Sequence, residues 1–393
     1  MRLPSLLWII FFILSIFVSS VFALDPEASF ATSLRYAGCL LFYMIVYSFI
    51  NTNKDISEIF IISIILCAII FIVGYFLLST ASFRYFDVVN IDPNLGFYAS
   101  AIEKSNTKRD FLVWNANTIA YFSVYMLLMG VYFLFSDQNK NGFFVRFKLH
   151  YLTIGLFGFF LIKTLSRGGV IALVIPLLFL SFYLQFKHIR KHAIIIFFIV
   201  VIMVAISFPY LKLIEERFLR GLIGIFGYSF FDYDIPGDHS IMRIDQIYEV
   251  FSIIQSRPFL GIGFLTTEEM WKYINLFSYE SLSINHFYYI NIMMYVGIIG
   301  FTFYMLIIFT VFAKLLKTVN LLKRNRDRKY LEGSIILAFF IAVLVKGLFS
   351  PLTYDIWFVL GMSAAYIRIT EANLRATRFA RHVSHLNRGV LVP

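Results

Sequence analysis

The chain has 393 residues, of which 60% are apolar, 19% aromatic and only 15% charged, and its mean hydropathy is +0.80. A soluble domain of that composition would have no polar surface left to meet water, so the bilayer is expected to be its solvent. The net charge of +11 weighs little for nucleic acid, because Lys and Arg crowd into Lys187–Lys191, Lys314–Lys329 and Arg368–Arg388 at the ends of apolar stretches rather than along an aromatic-studded groove.

A membrane-crossing helix needs about 20 apolar residues, and the hydropathy pattern predicts an all-α, polytopic bundle of about ten spans, with a range of nine to eleven. In chain order they are Leu3–Leu24, Thr32–Ile50, Ser57–Ser79, Asn115–Phe135, Leu149–Thr164, Gly168–Phe186, Ala193–Leu211, Phe287–Phe312, Gly333–Leu348 and Pro351–Ile369. The opening run also has the shape of a signal peptide ending Val21-Phe22-Ala23, but its length favours an uncleaved first span. Cys39 and Cys67 fall within spans and read as small apolar fillers. The division expected is a bundle over residues 1–211, a long polar loop over 212–286, further spans over 287–370 and a basic tail over 371–393, whose closing Leu391-Val392-Pro393 reads as an appended scar. If the spans alternate, all three basic runs share one side; the positive-inside bias makes that side the cytoplasm of a bacterial inner-membrane protein, with both termini inside and the long loop outside.

Between the fifth and sixth spans, Lys163-Thr164-Leu165-Ser166-Arg167-Gly168-Gly169 forms a tight turn. Its glycines admit close backbone approach, and Arg167 offers a guanidinium fork suited to phosphate oxygens; the plain alternative is an arginine snorkelling to the interface. Within the long loop, Arg243 opens a stretch with Ile244, Ile247, Tyr248, Phe251 and Ile254 at helical spacing, which stops at Arg257-Pro258-Phe259-Leu260-Gly261-Ile262-Gly263. Arg243 can hold an anionic headgroup there, or pair with Asp245 or Glu249. At the mouth of the eighth span, Asn285-His286-Phe287 places a group that titrates near neutral pH, followed by Gly297 and Gly300, which read as close-packing positions between helices. Asp232, Asp234 and Asp238 read as a solvated loop. Acids near span centres are missing, since Glu58, Glu332 and Asp355 lie at span ends; this weighs against a coupled transporter.

An arginine in a turn before a span, a second before P-x-x-G-x-G, and a histidine opening a span that carries G-x-x-G together resemble the O-antigen ligase and polymerase superfamily. Motif order carries the resemblance over about residues 149–312, and hydropathy alone elsewhere. It implies an integral-membrane glycosyltransferase that moves a glycan from undecaprenyl diphosphate to an acceptor sugar at the periplasmic face. It puts the diphosphate on Arg167 and Arg243 and the catalytic role on His286. Many relatives follow the histidine with asparagine, whereas here Asn285 precedes it. Arg84, Arg217 and Arg220 are secondary candidates, because they lie in outside segments but in no family pattern.

The donor's leaving group is already good, so arginines suffice to offset its growing charge without a metal or cofactor, and in-line attack by an acceptor hydroxyl that His286 activates makes the expected reaction inverting. Expected partners are the lipid-linked glycan donor, a lipid-linked repeat unit or lipid A core as acceptor, the surrounding membrane lipids and, for chain-length control, a regulator protein. Polymerase is favoured over ligase by likeness alone. A lipid-linked oligosaccharide flippase or exporter is the rival of a different class; it needs a cationic central cavity, for which Lys346 is the one candidate expected well inside a span.

Overall fold

The computed structural model describes residues 5–80, 116–135, 148–164, 166–183, 250–265, 288–350 and 354–389, and among them the regular secondary structure is all helical. The helices are α1 (Leu6–Val21), α2 (Pro26–Phe49), α3 (Asn53–Thr80), α4 (Ala116–Phe135), α5 (Leu149–Thr164), α6 (Arg167–Tyr183), α7 (Tyr288–Arg324), α8 (Lys329–Lys346) and α9 (Asp355–Gly389). A short helical segment covers residues 250–256.

Among the described residues, four helical stretches are long and apolar enough to cross a membrane: Pro26–Phe49, Asn53–Gly74, Asn117–Phe135 and Tyr288–Arg324. Leu6–Val21, Leu149–Thr164 and Gly168–Ser181 are apolar but shorter. The chain is therefore a helical membrane protein. The expected span Ala193–Leu211 lies outside the described residues, as does the long loop apart from residues 250–265.

The hydrophobic pattern decides which helix sits where. From Tyr330 to Val345, α8 is buried almost throughout, as a helix apolar on every face should be. It packs against α4, α6, α7 and α9, and α1 closes on α7 while α2 closes on α9. Peripheral helices instead turn apolar rows outward: Leu7, Leu14 and Val18 on α1, Ile62, Ile65, Leu66 and Ile69 on α3, and Val174, Ile175 and Leu178 on α6 are all exposed. Apolar rows of that extent suit lipid and would be a liability in water.

Several helices begin earlier or run later than hydropathy predicts. Helix α2 starts at Pro26 because the Asp25 carboxylate accepts the Ala28 N–H at 3.1 Å and proline occupies the first turn, a strong N-terminal signal. Helices α7 and α9 continue past their apolar stretches into Lys- and Arg-rich sequence, since those residues favour helix as well as most apolar ones do.

Candidate functional site

The first structural surprise is in α7. Gly297 has φ +64° and ψ −175° inside an otherwise regular helix, so the helix is broken there, and the expectation that Gly297 is merely a close-packing position is corrected. A break in a membrane helix strands carbonyls before it and N–H groups after it, and each must find a partner within the protein.

They find them in Pro258-Phe259-Leu260-Gly261-Ile262-Gly263. The N–H groups of Ile262 and Gly263 donate to the carbonyls of Met294 and Tyr295, each at 3.0 Å. In return, the N–H groups of Ile298 and Ile299 donate to the carbonyls of Pro258 and Phe259 at 2.8 and 3.5 Å. Gly261 and Gly263 also have positive φ, at 71° and 85°. A Cβ on Gly297 would overlap the Phe259 carbonyl, and one on Gly261 would collide with the Met294 and Tyr295 carbonyls. Two glycine patterns far apart in sequence are thus one interlock, in which a loop fills a helix break by backbone alone.

The interlock is anchored to the α1–α2 corner. Leu24 N–H donates to the Ile262 carbonyl at 3.2 Å, Arg257 Nη1 to the Phe22 carbonyl at 2.6 Å, and Ser19 Oγ to the Tyr295 carbonyl at 2.7 Å. Gly300 does act as a packing position, because a Cβ there would press on Val296 and Ser15 of α1. The segment before the turn docks through Val250, Ile253 and Ile254, which cluster with Ile262, Leu265 and Met294. Phe251, expected on that face, is exposed. Ile244, Ile247 and Tyr248 lie outside the described residues.

One end of the bundle gathers the remaining pieces. The backbone of Arg167 opens α6. Ser166 Oγ donates to Asn117 Oδ1 of α4 at 2.9 Å and accepts the Gly169 N–H at 3.2 Å, a local cap for the helix start. Gly168 is seated so closely that any side chain would collide with the Tyr121 hydroxyl of α4. The start of α7 arrives beside α8, where Tyr288 N–H donates to the Gly347 carbonyl at 3.2 Å and Tyr289 Oη to the Leu344 carbonyl at 2.9 Å.

Between these two helix starts, Lys346 at the end of α8 is ion-paired with Asp355 at the start of α9. Its Nζ also sits 5.5 Å from the Tyr121 ring centre and 5.9 Å from that of Tyr125. Lys346 is therefore at a helix end, not well inside a span as expected. Four helix N-termini, those of α4, α6, α7 and α9, meet at this end beside the Lys346 ammonium, and helix starts favour an anion.

Of the sequence-predicted site residues, Arg167 is placed at this end by its backbone. Arg84, Arg217, Arg220, Arg243 and His286 lie outside the described residues, although the α7 backbone resumes at Tyr288, two positions after His286. The sequence reading assigned neither Lys346 nor Asp355 to a catalytic site; a lysine and an aspartate flanking a short hydrophobic gap between two spans were the signal.

Residues 152–305 match the family described as O-Antigen ligase. That stretch runs from α5 past the interlocked break in α7 and contains every motif on which the resemblance rests. Over that stretch the chain is similar to the O-antigen ligase and polymerase superfamily, and the likeness supports a glycosyltransferase-type, multi-pass membrane protein. No curated protein matches the chain.

Proposed function

We propose that the chain transfers a glycan from undecaprenyl diphosphate to an acceptor sugar, and that it polymerises O-antigen or related repeat units. The observation that carries the reading is the family match over residues 152–305, together with the meeting of the α6 and α7 starts at one end of the bundle. The opposite end bears Lys323, Arg324, Arg326, Arg328, Lys329, Arg368 and Arg375, and a lysine- and arginine-rich end is the cytoplasmic one. In this reading the inner membrane holds the bundle, both termini are cytoplasmic and the site faces the periplasm. The spans number about ten, with a 212–286 loop between a 1–211 bundle and the 287–370 spans.

Arg167 and Arg243 hold the diphosphate. The acceptor hydroxyl attacks the anomeric carbon in line, the bond from that carbon to the phosphate oxygen breaks, and the diphosphate leaves with the electron pair. His286 takes the hydroxyl proton. A single in-line displacement inverts the anomeric carbon, and the arginines offset the charge that grows on the leaving group in place of a metal. Arg84, Arg217 and Arg220 are secondary phosphate contacts.

Alanine at Arg167, Arg243 or His286 is expected to abolish long-chain polysaccharide while leaving membrane insertion intact. Wild-type chain length in His286→Ala removes the catalytic assignment. A second reading, transfer to lipid A core, is favoured by the family's description as a ligase. Purified protein in proteoliposomes with lipid-linked repeat units, with and without lipid A core, separates the two: a ladder grown on repeat units alone means polymerase, and product only with core means ligase.

A further inference from the structure

Charged side chains within a membrane bundle are costly, and those retained there usually serve a pathway or a reaction. Lys346 and Asp355 are such a pair: their side chains keep only 9% and 16% of their exposure. The fold gains little from the pair. The two residues are nine apart in sequence, and the helices they stand on, α8 and α9, already pack against each other. Closing so short a loop a second time adds little entropy gain, and a buried ion pair is often replaceable by apolar residues without loss of stability.

Position gives the pair a use. The Tyr121 ring faced by the ammonium ends in the hydroxyl that seats Gly168, next to Arg167. The carbonyl one residue beyond Lys346 receives the Tyr288 N–H at the start of α7. Lys346 thus stands between the start of α6, which Arg167 opens, and the start of α7, which begins two positions after His286.

We propose that Lys346 is a third cation of the donor site. Without an anion its ammonium is parked on Asp355 and against the Tyr121 and Tyr125 faces. A diphosphate arriving between the starts of α6 and α7 draws it away, a swing that the four-carbon lysine stem permits. Asp355 is a positioning residue, competing with the phosphate for the same ammonium. This assignment rests on the glycosyl-transfer reading above.

The test uses full-length protein in lipid nanodiscs, with undecaprenyl diphosphate as the binding probe and lipid-linked repeat units for turnover. The double variant Lys346→Met/Asp355→Leu removes both charges and leaves neither unpaired. It is expected to keep the wild-type thermal unfolding temperature and to bind undecaprenyl diphosphate about ten- to a hundredfold more weakly, the loss of one charge-assisted contact. Asp355→Asn, which releases the ammonium, is expected to bind the probe a few-fold more tightly.

A pair with a purely structural role would make both variants unstable or leave binding unchanged in the double variant; either outcome overturns the proposal while wild-type turnover stands. Absence of both probe binding and turnover in the wild-type protein instead overturns the glycosyl-transfer reading itself.

Discussion

The two ends of the bundle are built on different principles. At the end bearing Glu332, polar groups tie together helices distant in sequence. Asn53 Nδ2 donates to Glu332 at 3.2 Å, Arg368 donates to the Ile50 carbonyl and lies 4.5 Å from the Tyr47 ring centre, and Tyr366 Oη donates to the Lys329 carbonyl at 2.7 Å. These contacts close α2 and α3 onto α8 and α9, and each adds a long-range constraint. At the end bearing Lys346, the charged pair joins neighbours that are already joined, while four helix starts and an interlocked break converge. Polar groups at the first end serve the fold; at the second the fold serves to hold polar groups in place.

The largest expected effect comes from unseating the interlock. Gly297→Val must adopt φ +64° with a side chain driven into the Phe259 carbonyl, which costs at least about 3 kcal/mol from backbone strain and overpacking together. Size-exclusion profiles in detergent should show most of the protein aggregated or degraded. A variant that melts like the wild type would mean that the break is not needed to hold the 250–265 segment. Gly168→Ala is milder, since the Tyr121 ring that blocks it can turn. We expect a stability loss of about 1–3 kcal/mol, with glycan transfer reduced about ten- to a hundredfold as the ring facing Lys346 shifts. Loss of stability with transfer unchanged would make Gly168 a packing residue only.

How much of this was legible in the sequence follows from what hydropathy measures. The class of fold and helices such as α4 and α5 are written in uninterrupted apolar runs, and α5 begins and ends where those runs do. The early start of α2 was also written, in Asp25-Pro26-Glu27, but hydropathy does not weigh caps. The long continuations of α7 and α9 escape it because lysine and arginine leave the membrane without leaving the helix.

The motif residues stood out one by one, whereas their union did not. Nothing in a one-dimensional reading says that Gly261 and Gly263 fill the break made by Gly297, because the link is made of backbone hydrogen bonds between segments more than thirty positions apart. In the sequence Lys346 is a cation near the end of an apolar run; its pairing with Asp355 comes from the folding of α9 against α8.

The smallest effects belong to the contrasting end and to open helix faces. Glu332→Gln keeps a group able to accept from Asn53, so transfer should stay within about twofold of wild type and stability should fall by about 1–3 kcal/mol, the range for weakening a charge-assisted hydrogen bond. A deep loss of transfer would erase the difference between the two ends. Gly155→Ala sharpens the comparison from the other direction. A Cβ at Gly155 meets nothing within 4 Å, and the residue lies in the middle of α5, where alanine favours helix over glycine by up to about 1 kcal/mol. The variant should therefore unfold at the same or a slightly higher temperature and transfer glycan at the wild-type rate. The same substitution thirteen positions later, at Gly168, strikes the Tyr121 hydroxyl, so the pair compares free space on a lipid-side helix with the crowded helix start. If both variants lose transfer equally, the damage lies in the packing of α5 and α6 on α4 at large, and the special standing given to the Lys346 end is lost.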